Sequence, residues 1–88
     1  MITVFPNPTP DRAYINISWE PIPKTQVKDK TYTLHVFDVS GREAMPQQVM
    51  NFSYGMLQSL DVTALPKGVY MLQLNADTDV QRTNLVKE

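Results

Sequence analysis

The chain has 88 residues, eight basic and nine acidic side chains, a formal net charge of −1 and no cysteine. At 42% hydrophobic residues, that length supports one small globular domain with one modest core, burying roughly 60–65% of the unfolded chain's surface. The charge excludes a strongly basic nucleic-acid footprint and argues against a polybasic membrane patch, and the missing cysteine excludes disulfides, iron–sulfur clusters, thiolate zinc and a cysteine nucleophile.

In chain order, residues 2–5 form a short strand candidate. Pro6, Pro8 and Pro10 then hold the backbone extended and keep it from pairing on both sides. No basic n-region or apolar stretch opens the chain, so an export signal is expected in sequence upstream, and residues 1–88 read as one domain of a larger secreted protein. Ala13, Ile15, Ile17 and Trp19 alternate with Tyr14, Asn16 and Ser18, the period-two pattern of a half-buried strand. Residues 20–30 hold two prolines and three lysines and read as a long surface loop. Tyr32, Leu34 and Val36 alternate with Thr33, His35 and Phe37; both rows are partly apolar, which predicts a central strand.

Asp38-Val39-Ser40-Gly41-Arg42 is a turn, with Gly41 supplying positive φ and Asp38 accepting a backbone N–H two residues on. A strand over 43–52 follows, and Pro46 makes it an edge strand or a bulged one. Another strand is predicted over 56–62, then a single helical turn near 63–65. Leu65-Pro66-Lys67-Gly68 suits a type I turn with Pro66 at its second position. In the next strand Tyr70, Leu72 and Leu74 form one row and Val69, Met71 and Gln73 the other, which predicts burial on both sides. Ala76-Asp77-Thr78-Asp79 is a polar break before a last strand over 80–86. About seven short strands with regular turn signals predict an all-β, antiparallel β-sandwich. Tyr70, at the start of a strand just after a turn, fits a tyrosine corner, its ring buried and its hydroxyl returned to upstream backbone.

Little in the chain supports catalysis. His35 is the sole histidine, sits mid-strand, and reads as structural; zinc has no donor set. Asp77 and Asp79 offer oxygen ligands for calcium but lack the rest of an EF-hand loop, and read as turn residues. No phosphate-cradling loop and no paired carboxylates emerge, so no cofactor, metal or small-molecule substrate is expected. Asn16-Ile17-Ser18 and Asn51-Phe52-Ser53 match the glycosylation pattern, as strand faces do by chance. Trp19, Tyr32 and Tyr54 would make a sugar platform if exposed together; core or edge packing is the plainer reading.

Three segments carry a more specific signal: Val4-Phe5-Pro6-Asn7-Pro8-Thr9, Phe37-Asp38-Val39-Ser40-Gly41-Arg42-Glu43 and Leu65-Pro66-Lys67-Gly68-Val69-Tyr70. In this order, closed by a short strand ending near Lys87, they resemble the C-terminal sorting domain of cargo proteins of the type IX (Por) secretion system, from Val4 to Lys87. The resemblance implies an immunoglobulin-like β-sandwich of seven strands that is not itself an enzyme. It also implies cargo that folds in the periplasm, an address read by the outer-membrane translocon, and delivery to the cell surface or medium of Gram-negative Bacteroidota. A surface cysteine peptidase would remove the domain and join the cargo to an anionic lipopolysaccharide.

Gly68, Tyr70, Val86 and Lys87 match recurring positions of the family and, with Glu88, form the recognition set the resemblance implies. Pro6, Asn7, Pro8, Asp38, Gly41 and Pro66 match motif positions with structural roles, Asn7 fixing the opening loop. A turn and a tyrosine corner also explain Gly68 and Tyr70, whereas Lys87 and Glu88 have no structural role legible in the sequence. Residues 80–88 are the expected free edge for a receptor strand. The chain departs from the family pattern in its acidic last residue, in Pro46 and in the long 20–30 loop. The alternative reading is an adhesive or carbohydrate-binding module of a surface enzyme, which the exposure of Trp19 and the tyrosines would favour.

Overall fold

The computed structural model describes residues 1–18, 29–53, 55–77 and 79–88. The predicted 20–30 loop falls almost wholly outside the described residues, as do Trp19, Tyr54 and Thr78. Among the described residues all regular structure is strand: β1 (Ile2–Phe5), β2 (Arg12–Ile17), β3 (Lys30–Phe37), β4 (Gln48–Phe52), β5 (Leu57–Asp61), β6 (Gly68–Ala76) and β7 (Asp79–Lys87). Two antiparallel sheets, ordered β1-β2-β5 and β4-β3-β6-β7, make the sandwich. Compared with the constant-type immunoglobulin arrangement, the fourth strand has left the β1-β2-β5 side and joined the other sheet.

Period two decides which side chains meet between the sheets. Ile2 and Val4 from β1, Ala13, Ile15 and Ile17 from β2 and Leu60 from β5 face Tyr32, Leu34, Val36, Met50, Phe52, Leu72, Leu74 and Leu85 of the second sheet, and all are buried. The ring of Tyr32 meets Phe52 edge-on at 5.8 Å. Its hydroxyl donates to Asp79 Oδ2 at 2.6 Å, so the polar tip of a core residue is satisfied across the sheet.

β3 is central, as its two-sided apolar pattern predicts. The predicted 43–52 strand is cut short. Glu43 makes only an isolated bridge to Phe37, and regular pairing starts at Gln48, beyond Pro46, in an edge strand. Proline has no N–H for a ladder, which explains the break. The predicted helical turn at 63–65 is a hydrogen-bonded turn, Leu65 N to Val62 O at 3.0 Å. Asp61 tightens it by accepting the Thr63 amide and hydroxyl.

β6 corrects the expectation of burial on both sides. Tyr70, Leu72 and Leu74 are buried, but Val69 and Met71 are 50% and 40% exposed. A two-layer sandwich covers only one face of each sheet, so the second apolar row of a strand in mid-sheet still meets solvent.

Candidate functional site

The opening segment changes sheets. β1 pairs with β2 in the first sheet, and after Pro6 the chain crosses to the second, where Thr9 forms a parallel bridge with Lys87. Thr9 N donates to Val86 O at 2.9 Å and Glu88 N donates to Thr9 O at 3.0 Å. Asn7 extends the contact with its side chain. Nδ2 donates to Asn84 O at 3.0 Å, and Oδ1 accepts the Val86 amide at 2.8 Å. A side-chain amide here does the work of one more residue of strand. Thr9 is fully buried, and its hydroxyl donates to Arg12 O at 2.7 Å.

The 38–42 turn stands at the same end of the sandwich. Asp38 accepts the Ser40 hydroxyl at 2.6 Å, the Ser40 amide at 2.9 Å and the Arg42 amide at 3.1 Å. The Ser40 hydroxyl foremost, with the two amides and the Arg42 charge, holds the Asp38 carboxyl below its ordinary range against a small opposing effect of desolvation. Gly41 takes φ +88°, the left-handed conformation its residue type permits.

The third motif segment adjoins both. Tyr70 buries its ring and donates its hydroxyl to Pro66 O at 2.6 Å, the tyrosine corner expected from its position. Pro66 therefore serves as the anchor of that bond. No hydrogen bond from Gly68 N to Leu65 O closes the predicted turn, and Gly68 has no positive φ. Gly68 instead opens β6 and pairs with Lys87.

Lys87 and Glu88 have structural roles that the sequence does not reveal. Lys87 is only 9% exposed, its stem lying on the inner row of β7 next to Leu85, with Nζ donating to Glu88 O at 3.2 Å. Glu88 contributes its amide to the Thr9 bridge. Val86 faces outward opposite Val69.

Pro6, Asn7, Pro8, Asp38, Gly41, Pro66, Gly68, Tyr70, Val86, Lys87 and Glu88 thus belong to segments gathered at one pole. Between them an apolar groove of about 400 Å³ opens on the outer face of the second sheet. Phe37, Val39, Val69, Met71 and Asn84 are among its lining residues, and Val39 is 87% exposed. Thr9, Asn84 and the outward row of β6 stand at this pole without being marked as functional by the sequence. The alternating apolar residues of β6 were the available signal for the last of these.

Elsewhere several of the polar groups singled out in the sequence are engaged in the fold, while the buried Asn75 Oδ1 has no hydrogen-bond partner among the described residues. Asp79 binds Tyr32, Lys30 and Gln81, with the Tyr32 hydroxyl foremost in holding its carboxyl below the ordinary range. Asp77 sits exposed in the β6–β7 turn at φ +49°. His35 Nδ1 lies 2.7 Å from Glu43 Oε1, and its ring stacks on Phe37 at 5.7 Å. Among the described residues no three His, Cys, Asp or Glu side chains form a metal-ion group. Tyr32, one aromatic of the conceivable sugar platform, lies in the core.

The chain matches a known family. The family model described as the secretion system C-terminal sorting domain covers residues 3–88. No curated protein matches the chain.

Proposed function

Because the chain belongs to the family of secretion system C-terminal sorting domains, we propose that the pole where its three motif segments meet is the surface the type IX machinery reads. The domain is a C-terminal sorting signal for type IX secretion, directing export toward the outer-membrane surface or beyond it. It interacts with that machinery and is not itself catalytic.

The observation that carries the proposal is an apolar groove, rimmed by the 38–42 turn and β6, on a face that packing leaves open. A groove walled by Phe37, Val39, Val69 and Met71 offers a partner apolar surface in a concave setting. In this reading Gly68, Tyr70, Val86, Lys87 and Glu88 shape the pole, and Asn7 holds it together. Residues 1–88 act as one unit of a larger cargo protein that passes through the periplasm. A surface cysteine peptidase then removes the domain and joins the cargo to a surface lipid.

A transport test decides the matter. Residues 1–88 are fused behind a fluorescent protein that carries a periplasmic export signal, in a type IX-competent host. Surface or medium fluorescence that disappears in a translocon-deficient strain is the expected result. A folded fusion that stays in the periplasm of the competent host contradicts it.

A further inference from the structure

We infer that the groove takes a polypeptide segment of the secretion machinery that sets an apolar side chain against Phe37 and Met71 and, two residues along, a carboxylate against Arg82. The inference rests on the sorting reading and gives the partner its chemistry. Recognition falls to the face of the sheet because the expected receptor edge over 80–88 is closed. β1 packs alongside β7, and Asn7 and Thr9 take the outward backbone of Val86.

The register lays out the outer face of the second sheet in rows that cross the strands. Phe37, Met71 and Asn84 stand in one row and line the groove; His35, Gln73 and Arg82 stand in the next. Val69 and Val86 continue the apolar surface on the other side. Neighbouring rows on one face are about 6.5–7 Å apart along the strands. The polar row therefore begins one side-chain step from the groove. The His35 ring stacks on Phe37 at 5.7 Å and 6°, which fixes the junction of the two rows.

Of the charged side chains in the groove lining and the polar row, Asp38 lies 3.6 Å from Arg42 Nε, and Glu43 lies 2.7 Å from His35 Nδ1. Arg82 differs. Its Nε donates to the neutral Gln73 Oε1 at 2.8 Å, which holds the guanidinium against β6, and its side chain is exposed. Among the described residues it has no ion pair. A guanidinium so held presents its Nη groups as a planar fork, the geometry that suits a carboxylate.

An apolar hollow beside a positive fork is complementary to an apolar side chain beside an acid. An extended polypeptide repeats its same-side residues every 6.5–7 Å or so, the spacing of the two rows. An apolar residue and an acid at positions i and i+2 thus reach both rows at once.

The test varies the charge and then captures the acid. In the transported fusion, Arg82→Lys keeps the charge, Arg82→Gln removes it and Arg82→Glu reverses it. Transport is expected to stay within about threefold of wild type for Arg82→Lys, to fall further for Arg82→Gln, and to fall by about tenfold or more for Arg82→Glu. A role confined to the bond with Gln73 would not rank the variants by charge. Thermal unfolding checks that each is folded. The amine introduced by Arg82→Lys also couples, through a zero-length carbodiimide, to a carboxylate that touches it. In membranes from transporting cells the expected product joins position 82 to an aspartate or glutamate of a machinery protein, and is missing from a translocon-deficient strain. Equal transport by folded Arg82→Lys and Arg82→Glu overturns the inference. So does a position 82 that couples to no protein carboxylate, the result expected if an anionic amphiphile fills the groove. Failure of the unmodified fusion to be transported strikes the sorting reading instead.

Discussion

Asn7 and Val86 stand 79 positions apart in the chain, yet the Val86 amide donates to the Asn7 side chain at 2.8 Å. This bond, with its companion to Asn84 O, ties the segment leaving the first sheet to the last strand of the second. It makes the end of the chain depend on the beginning.

Replacing Asn7 by Ala deletes both bonds and leaves the Val86 amide facing solvent. Two solvent-accessible bonds at about 0.5–1 kcal/mol each give an expected loss of roughly 1–2 kcal/mol. For a domain of this size that is about 4–16 °C in Tm. Amide exchange at Val86 is expected to accelerate, whereas exchange at Leu72 tracks global unfolding alone. Unchanged exchange at Val86 would show that the clasp does not hold the strand in solution.

Tyr70→Phe keeps the ring and removes the bond to Pro66 O. The expected cost is about 1–2 kcal/mol, read from denaturant or thermal unfolding, with folding retained. A neutral Tyr70→Phe would mean that the tyrosine corner adds nothing here.

Gly68→Ala separates structure from recognition. The added Cβ meets only the Tyr70 ring, at 3.9 Å, an ordinary contact, and the backbone is not left-handed. Stability is expected to change by less than about 1 kcal/mol. A transport defect in this variant would then be a defect of recognition, whereas a large loss of stability would contradict the packing described for Gly68.

Acid weakens the link between Tyr32 and Asp79. The Tyr32 hydroxyl, first among its causes, sets the Asp79 carboxyl below its unfolded value, so ionised Asp79 favours the folded state. That contribution is whole above the unfolded carboxyl pKa, close to 3.8, and is lost as pH falls through the lower folded value. The stability difference between wild type and Tyr32→Phe is therefore expected to be constant from pH 7 to about 5 and to shrink below pH 4. A difference that does not change with pH would contradict the role given to this carboxylate.

Much of the sandwich is legible in the alternation of Ala13, Ile15 and Ile17, and of Tyr32, Leu34 and Val36, because a two-layer fold needs one apolar face per strand. Pro46 marks its own break, and Gly41 its own turn. Tyr70 is readable because its partner Pro66 lies four residues upstream. The pairing of Thr9 with Lys87 is not readable, since no local pattern announces a contact across most of the chain. For the same reason Lys87 looks like a free tail residue in sequence and is buried in the fold. Val69 and Met71 mislead for another cause. Apolar residues kept for a surface have the same alternation as residues kept for a core, and only the missing third layer distinguishes them.

The central claim is that the outer face of this pole is read during secretion. The most direct measurement is transport of the fluorescent fusion carrying Val69→Thr with Met71→Gln, two exposed substitutions on the groove, in parallel with its Tm. The account predicts transport reduced severalfold or more while Tm stays within about 8 °C of wild type, since two surface substitutions at up to about 0.5 kcal/mol each shift stability by at most about 1 kcal/mol. Full transport by this variant would contradict the account.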